Sequence, residues 1–265
     1  MRRRLVLAAW LMASVAACAG RAVPLPTGDG APFPDYAGAW RQAARQCGGT
    51  GTWSAELSIS GRAGRQRLRG HLLIGLASPG RIRLEGAAPF GPPIFVLVAD
   101  GADTTLLLPR DNRVLRGSPP SDILAALVGL DLGPSDLLAI LSGCIVAEAS
   151  AEGGRLYESG WARIDLPGGA SAYLRREGKA GWRVRAGSRP GVGIEYEMGE
   201  DTEPAAVRLR TDPSRGPVSD IRIALSQVAV GQAFGAGVFS VRVPADALPI
   251  SLAELREAGP LGEKR

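Results

Sequence analysis

The fold is decided by residues 53–85, which read WSAELSIS (53–60), GRAG (61–64), RQRLRGHLLIGLA (65–77), SPG (78–80) and RIRLE (81–85). In the first stretch Trp53, Ala55, Leu57 and Ile59 alternate with Ser54, Glu56, Ser58 and Ser60. Successive side chains of a strand point to opposite faces, so this period of two predicts a half-buried strand. GRAG reads as a turn. Leu68, Gly70, Leu72, Ile74 and Leu76 then keep the alternation, with Arg67, Arg69 and His71 on the other face. Ser78-Pro79-Gly80 turns the chain again, and Ile82 and Leu84 alternate with Arg81, Arg83 and Glu85. Strands joined by such short turns pair antiparallel.

The same pattern extends outward. Strands are predicted over 94–100, 103–108 and 113–116, and after Cys144 over 155–159, 161–166, 170–176, 181–186, 192–198, 205–211, 219–230 and 238–243. Asp100-Gly101, Asp111-Asn112, Pro167-Gly168-Gly169 and Glu177-Gly178-Lys179 punctuate them. Strands and helices do not alternate, which disfavours a doubly wound parallel sheet. Three helical stretches interrupt the strands. Asp35 to Gln46 starts at a candidate cap, Asp35, and stops at Gly48-Gly49. Ser118-Pro119-Pro120-Ser121-Asp122 opens a helix to Val128, with Ser118 as candidate cap, and Gly133-Pro134-Ser135-Asp136 opens another ending near Gly143. The last two are short and apolar, so they must bury against the sheet. A final helix is predicted over 251–258.

The N-terminus is read as an address. Arg2, Arg3 and Arg4 precede an uncharged apolar run of 13 residues, Leu5 to Ala17. That run is well short of the ~20 residues a membrane-spanning helix needs and has the layout of a secretory signal peptide. Val15-Ala16-Ala17-Cys18 resembles the bacterial lipobox, which makes Cys18 the lipidated first residue of the mature chain. Each buried acyl methylene contributes ~0.8 kcal/mol, so several chains on one Cys form a lasting anchor. Bacterial lipoproteins kept in the inner membrane tend to carry Asp after that Cys. Ala19 and Gly20 stand here, which implies the periplasmic face of the outer membrane. The predicted organisation is a signal peptide (1–17), a lipidated Cys with a Pro/Gly-rich flexible tether (18–34), a folded domain (35–250), and a C-terminal helix and tail (251–265). An even remainder of two, Cys47 and Cys144, in an oxidising compartment points to a disulfide, with two buried thiols as the alternative.

Composition excludes several functions. Of 265 residues 45% are hydrophobic, 22% charged and 5% aromatic, and 36 Gly with 20 Pro show no three-residue period. A collagen-like or fully disordered chain is excluded. The net charge of +5 drops to +2 without the three leader arginines, which removes the main support for nucleic-acid binding. One His and three Cys do not make an ordinary zinc site, so no metal and no cofactor is expected. No G-x-S-x-G, Walker A or post-strand G-x-G-x-x-G occurs. His71 sits in a strand among arginines, and Glu195 and Glu197 share a mostly charged strand face. Neither reads as catalytic machinery, and the chain is expected not to be an enzyme. The outward arginines face solvent or lipid headgroups.

Residues 81–144 carry a resemblance. Arg81-Ile82-Arg83-Leu84-Glu85, then Pro89-Phe90-Gly91, then the strand Ile94–Val98, is similar to LolB-like outer-membrane lipoprotein receptors. So are Ile123–Leu130, Leu132-Gly133-Pro134 and Leu137–Gly143 in the helical insert, and Gly181-Trp182-Arg183-Val184 later. The C-terminal Val243-Pro244-Ala245-Asp246 resembles LolA-like lipoproteins more. The resemblance implies an unclosed antiparallel β-barrel of about eleven strands with short helices lidding its concave face, an α+β fold that is mainly β. It implies an apolar cavity for the acyl chains of a lipoprotein, a periplasmic carrier protein as partner, and delivery into the outer membrane without chemistry. Inward-facing candidates for the cavity are Leu57, Ile59, Leu72, Ile74, Ile82, Leu84, Val96, Leu106 and Leu108. The loop Pro89-Phe90-Gly91 is the candidate membrane-insertion tip. The alternatives are a lipoprotein of the same fold that binds another lipid or a protein partner, and a structural lipoprotein with a filled core.

Overall fold

The computed structural model describes residues 24–47, 51–64, 66–146, 150–178, 181–199, 204–212, 214 and 218–258. Residues 1–17, read above as a signal peptide, and Cys18 lie outside the described residues.

The strands are β1 (Ala31–Pro32), β2 (Thr52–Ala63), β3 (Gln66–Ala77), β4 (Arg81–Ala87), β5 (Val96–Asp100), β6 (Asp103–Leu108), β7 (Arg113–Arg116), β8 (Gly153–Leu156), β9 (Trp161–Leu166), β10 (Ala170–Glu177), β11 (Gly181–Arg189), β12 (Val192–Met198), β13 (Pro204–Thr211), β14 (Ser219–Val230) and β15 (Leu248–Pro249). The helices are α1 (Tyr36–Ala43), α2 (Pro120–Val128), α3 (Pro134–Leu141) and α4 (Leu252–Ala258). All the described strands form one sheet in the order β1-β8-β9-β10-β11-β12-β13-β14-β2-β3-β4-β5-β6-β7-β15. The ladder runs from one two-residue strand to another without closing, so the sheet is an open barrel. Fifteen described strands stand where about eleven were expected, because β1, β8 and β15 add short edge pieces.

The seam of the sheet joins distant parts of the chain. β14 pairs with β2 from Ser219↔Ala63 to Val230↔Trp53, with a bulge between Ser226 and Ala229. Gln227 takes a left-handed φ of 52° there, as the extra residue of a bulge often requires. β2 runs on through Gly61, so the expected turn at 61–64 begins only at Gly64. The side chains of Trp53, Ala55, Leu57, Leu72, Ile74, Leu76, Ile82 and Leu84 are buried and share one face, as their alternation requires.

α1 lies against β8, β9 and β11, burying Ala39 and Trp40. Asp35 stands at its N-cap position without a side-chain hydrogen bond. The cap of α2 is Pro119 rather than Ser118, with Pro120 as first helical residue. Gly129 ends α2 at φ 71°, a left-handed stop that glycine adopts freely. At α3, Asp136 Oδ2 accepts the Gly133 N–H at 3.0 Å.

Residues 238–243 do not form a strand. They belong to a segment, residues 231–250, that crosses the convex face. Phe234 lies against Gly75 of β3, and Phe239 meets Phe234 edge-on at 5.1 Å. Arg83 of β4 donates to the carbonyls of Val238 (2.8 Å) and Ser240 (3.0 Å), which takes acceptors a ladder would have used. Asn112 donates to Asp246, and Leu248–Pro249 pairs parallel with β7. α4 then seats on α2, burying Leu255. Its start is a reciprocal box in which the Glu254 N–H donates to Ser251 Oγ and the Ser251 N–H to Glu254 Oε2.

The stretch read as a tether is not free over its last residues. Ala31–Pro32 pairs with β8, the Phe33 N–H donates to Gly154 O at 3.2 Å, and Phe33 packs on Trp182.

Candidate functional site

A cavity lies between α2, α3 and the concave face. The strands supply Leu57, Ile59, Leu72, Ile74, Leu84, Leu209, Ile221 and Ile223, with Phe95 from the residue before β5. The helical insert supplies Leu124, Leu127, Val128, Leu130, Leu132, Leu137 and Leu141. Every lining residue is apolar, so nothing in the wall can hydrogen-bond a bound polar group, and only a hydrocarbon suits it. The free volume is about 60 Å³. Small-molecule sites usually offer about 300–1,000 Å³. The lid helices therefore nearly fill the space, and a long acyl chain enters only if they lift.

Five of the nine expected lining residues, Leu57, Ile59, Leu72, Ile74 and Leu84, line this cavity. Ile82 and Leu106 point to the concave face but are fully buried in packed core beyond it. Leu108 packs half-buried against that core. Val96 is on the other side of the sheet. It pairs with Glu85 and Leu107 in register, whereas Leu97, opposite Leu84 and Leu106, points inward. Val96 is buried on the convex face. The sequence does not mark the lid leucines or Leu209, Ile221 and Ile223 as lining. Their helical and alternating patterns were visible, but not which strands lie beside β2.

The lid is held at both ends. Arg189, at the end of β11, forms an ion pair with Asp136 of α3 at 2.6 Å. Ser219 Oγ donates to Val128 O at 3.5 Å, beside the end of α2. At the far end of α3 the structure joins Cys47 to Cys144, with Cα atoms 5.7 Å apart. The Tyr196 hydroxyl donates to Cys144 O at 3.0 Å. Burial pushes the Tyr196 phenol far above its ordinary pKa of 10, so it remains a donor.

The loop after β4 carries the apolar tip. Pro89, Phe90, Gly91 and Pro92 are all exposed, and Phe90 is 89% exposed. Arg110 donates to Phe90 O at 3.3 Å. Nearer the base Gly86 makes room for the Phe95 ring, which a Cβ there would meet at 2.6 Å.

His71 accepts or donates a hydrogen bond with Ser58 Oγ at 3.1 Å on the convex face, away from the cavity. Glu195 and Glu197 are each paired with an arginine, Arg210 and Arg222. No cluster of potential metal ligands occurs among the described residues, and no described helix is long and apolar enough to cross a membrane.

Neither a family model nor a curated relative matches the chain. Solved structures do. A LolA superfamily protein from Nitrosomonas europaea aligns over 77% of this chain and 96% of its own, with TM-score 0.52 and 9% identity. A DUF1329 family protein from Desulfovibrio piger aligns over the same shares, with TM-score 0.51 and 15% identity. The open sheet and its lid of short helices thus have the LolA-like fold.

Proposed function

We propose that this chain is a lipoprotein, anchored through Cys18 at the periplasmic face of the outer membrane, that takes acyl chains beneath α2 and α3 and helps insert lipoproteins into that membrane. The observation that carries the reading is the wholly apolar wall of the cavity under two short helices. A free acyl chain in water is unfavourable by ~0.8 kcal/mol per methylene, and this wall replaces the membrane during transfer. Phe90 supports the delivery step. It stands at a Gly/Pro-rich tip with no core to enter, where LolB-like proteins have their membrane-facing loop. Cargo arrives from a periplasmic carrier, and no bond is made or broken.

The free volume of about 60 Å³ favours a second reading, a structural lipoprotein whose core is complete without ligand. One experiment separates the two. The chain is purified from its envelope and the co-purifying lipids are identified by mass spectrometry, while a fluorescent fatty acid is titrated into the delipidated protein. Carriage predicts stoichiometric acyl lipid and saturable uptake that Leu127→Glu abolishes. A protein that holds no lipid and takes none up is structural. Mislocalised lipoproteins after depletion of the chain, restored by wild type but not by Phe90→Ala, identify the delivery role.

A further inference from the structure

The convex face bears a row of arginines that the carriage of acyl chains does not use. Arg62 ends β2, and Arg67 and Arg69 begin β3; all three are exposed. Arg62 and Arg67 stand directly opposite each other in the ladder. Like charges in that position repel, so the pair destabilises the hairpin unless an anion lies between them. No carboxylate is paired with any of the three among the described residues. Asp220 is opposite Arg62, but Arg208 holds it with two hydrogen bonds of 2.7 and 2.6 Å. In the β12–β14 part of this face the cross-strand arginines are matched, as Arg210 is with Glu195 and Arg222 with Glu197.

The position of the row matters. β4 pairs with β3 only from His71 onward, as Ala87↔His71 is the last rung. The hairpin therefore extends past β4 at the end of the sheet from which the Phe90 loop departs. Arg110, which holds Phe90 O, adds a fourth guanidinium at that end. Guanidinium groups at the same end of the sheet as an exposed aromatic tip match a bilayer surface, with phosphates above and hydrocarbon below.

We propose that Arg62, Arg67 and Arg69 bind the phosphate headgroups of an anionic bilayer and turn the cavity end of the domain toward the membrane. The inference rests on the reading of Phe90 as membrane-facing and adds the lipid class that the face selects. The row supplies attraction to charge, and Phe90 supplies apolar insertion that is indifferent to headgroup.

The test uses a chain beginning at residue 19, which retains every described residue and lacks the leader. Its binding is measured by co-sedimentation with phosphatidylethanolamine/phosphatidylglycerol vesicles and with phosphatidylcholine vesicles. Wild type is expected to favour the phosphatidylglycerol vesicles and to lose that preference as salt rises. The triple variant R62Q/R67Q/R69Q is expected to bind them about 100-fold more weakly, with phosphatidylcholine binding unchanged. Phe90→Ala is expected to weaken both to a similar degree. Loss of binding in the arginine variant with none in Phe90→Ala supports the headgroup site and removes the insertion tip. The inference is overturned if the arginine variant binds phosphatidylglycerol as wild type does. It is also overturned if the only change is self-association of the variant, since the arginines then merely guard a strand edge. The substituted side chains are exposed, and unchanged near-ultraviolet circular dichroism verifies folding.

Discussion

Arg189 and Asp136 hold the lid to the rim of the sheet, with Nη2 and Oδ1 2.6 Å apart across β11 and α3. Both side chains are mostly but not wholly buried, and Arg189 Nη1 has no acceptor among the described residues. Asp136 also accepts the Gly133 N–H, so it orders the start of the helix it latches. Arg189→Gln is therefore expected to lower global stability by only about 1 kcal/mol, the scale of a partly screened pair. Its larger effect is local. Amide hydrogen exchange over residues 134–141 should speed up more than that over β2 and β3, and uptake of a fluorescent fatty acid should quicken. Uniform acceleration throughout the sheet would show that the pair does not act as a latch.

Gly86 and Gly70 lie on the same face but predict opposite outcomes. A Cβ at Gly86 meets the Phe95 ring at 2.6 Å, while a Cβ at Gly70 meets nothing within 4 Å. Gly86→Val is expected to cost about 1–3 kcal/mol by displacing Phe95 toward the cavity. Gly70→Ala is expected to be neutral or to stabilise by up to about 1 kcal/mol, since it restricts the unfolded chain. Urea midpoints of the two variants check the contrast.

The bond between Cys47 and Cys144 spans 97 positions of sequence. Closing so long a loop in the unfolded chain is worth up to about 4–5 kcal/mol on the chain-entropy account. Cys47→Ser is expected to lower the guanidinium midpoint by a corresponding amount, and reductant should then have no further effect. It should also release the far end of α3, seen as faster exchange at residues 139–144.

Acid should weaken the sheet through the arginine ladder of β12, β13 and β14. The hydrogen bonds of Arg208 hold the Asp220 carboxyl below its ordinary 3.8, and those of Arg222 hold Glu197 below 4.5. At α4, the Ser251 N–H and Arg113 bring Glu254 from 4.5 to about 2. A carboxylate with a depressed folded pKa stabilises the fold fully above its unfolded value, and the contribution fades as pH falls through the folded one. The melting temperature is therefore expected to be flat from pH 7 to about 5 and to decline below about 4. Glu254 is exposed and Asp220 and Glu197 are partly so, so the decline is shallow and added salt reduces it. Glu254→Gln should flatten the part of the curve nearest pH 2.

The sheet was legible where alternation was strict. Leu57, Ile59 and Leu84 sit between polar neighbours, and Leu72 and Ile74 continue the alternation that Arg67, Arg69 and His71 begin, which turns all five inward. The run Ile94-Phe-Val-Leu-Val-Ala99 offers no such contrast, because both faces of β5 are buried. A slip of one residue then exchanges the faces, and Val96 took the place that belongs to Leu97. Residues 238–243 alternate like a strand, yet the Arg83 side chain rather than a neighbouring ladder binds the carbonyls of Val238 and Ser240. The walls given by Leu209, Ile221 and Ile223 depend on β14 lying beside β2, a pairing between residues more than 150 positions apart. Local periodicity carries no information about that distance.

That pairing sets the timetable of folding. A chain that emerges N-terminus first displays Leu57, Leu72 and Ile74 long before residues 219–230 arrive to complete the sheet beside them. Contacts so far apart form late, because the intervening loop must be ordered first. Until then the greasy interior meant for cargo is open to any passing apolar segment, and a nascent protein of this design is best served by an escort that shields it until its last strands appear.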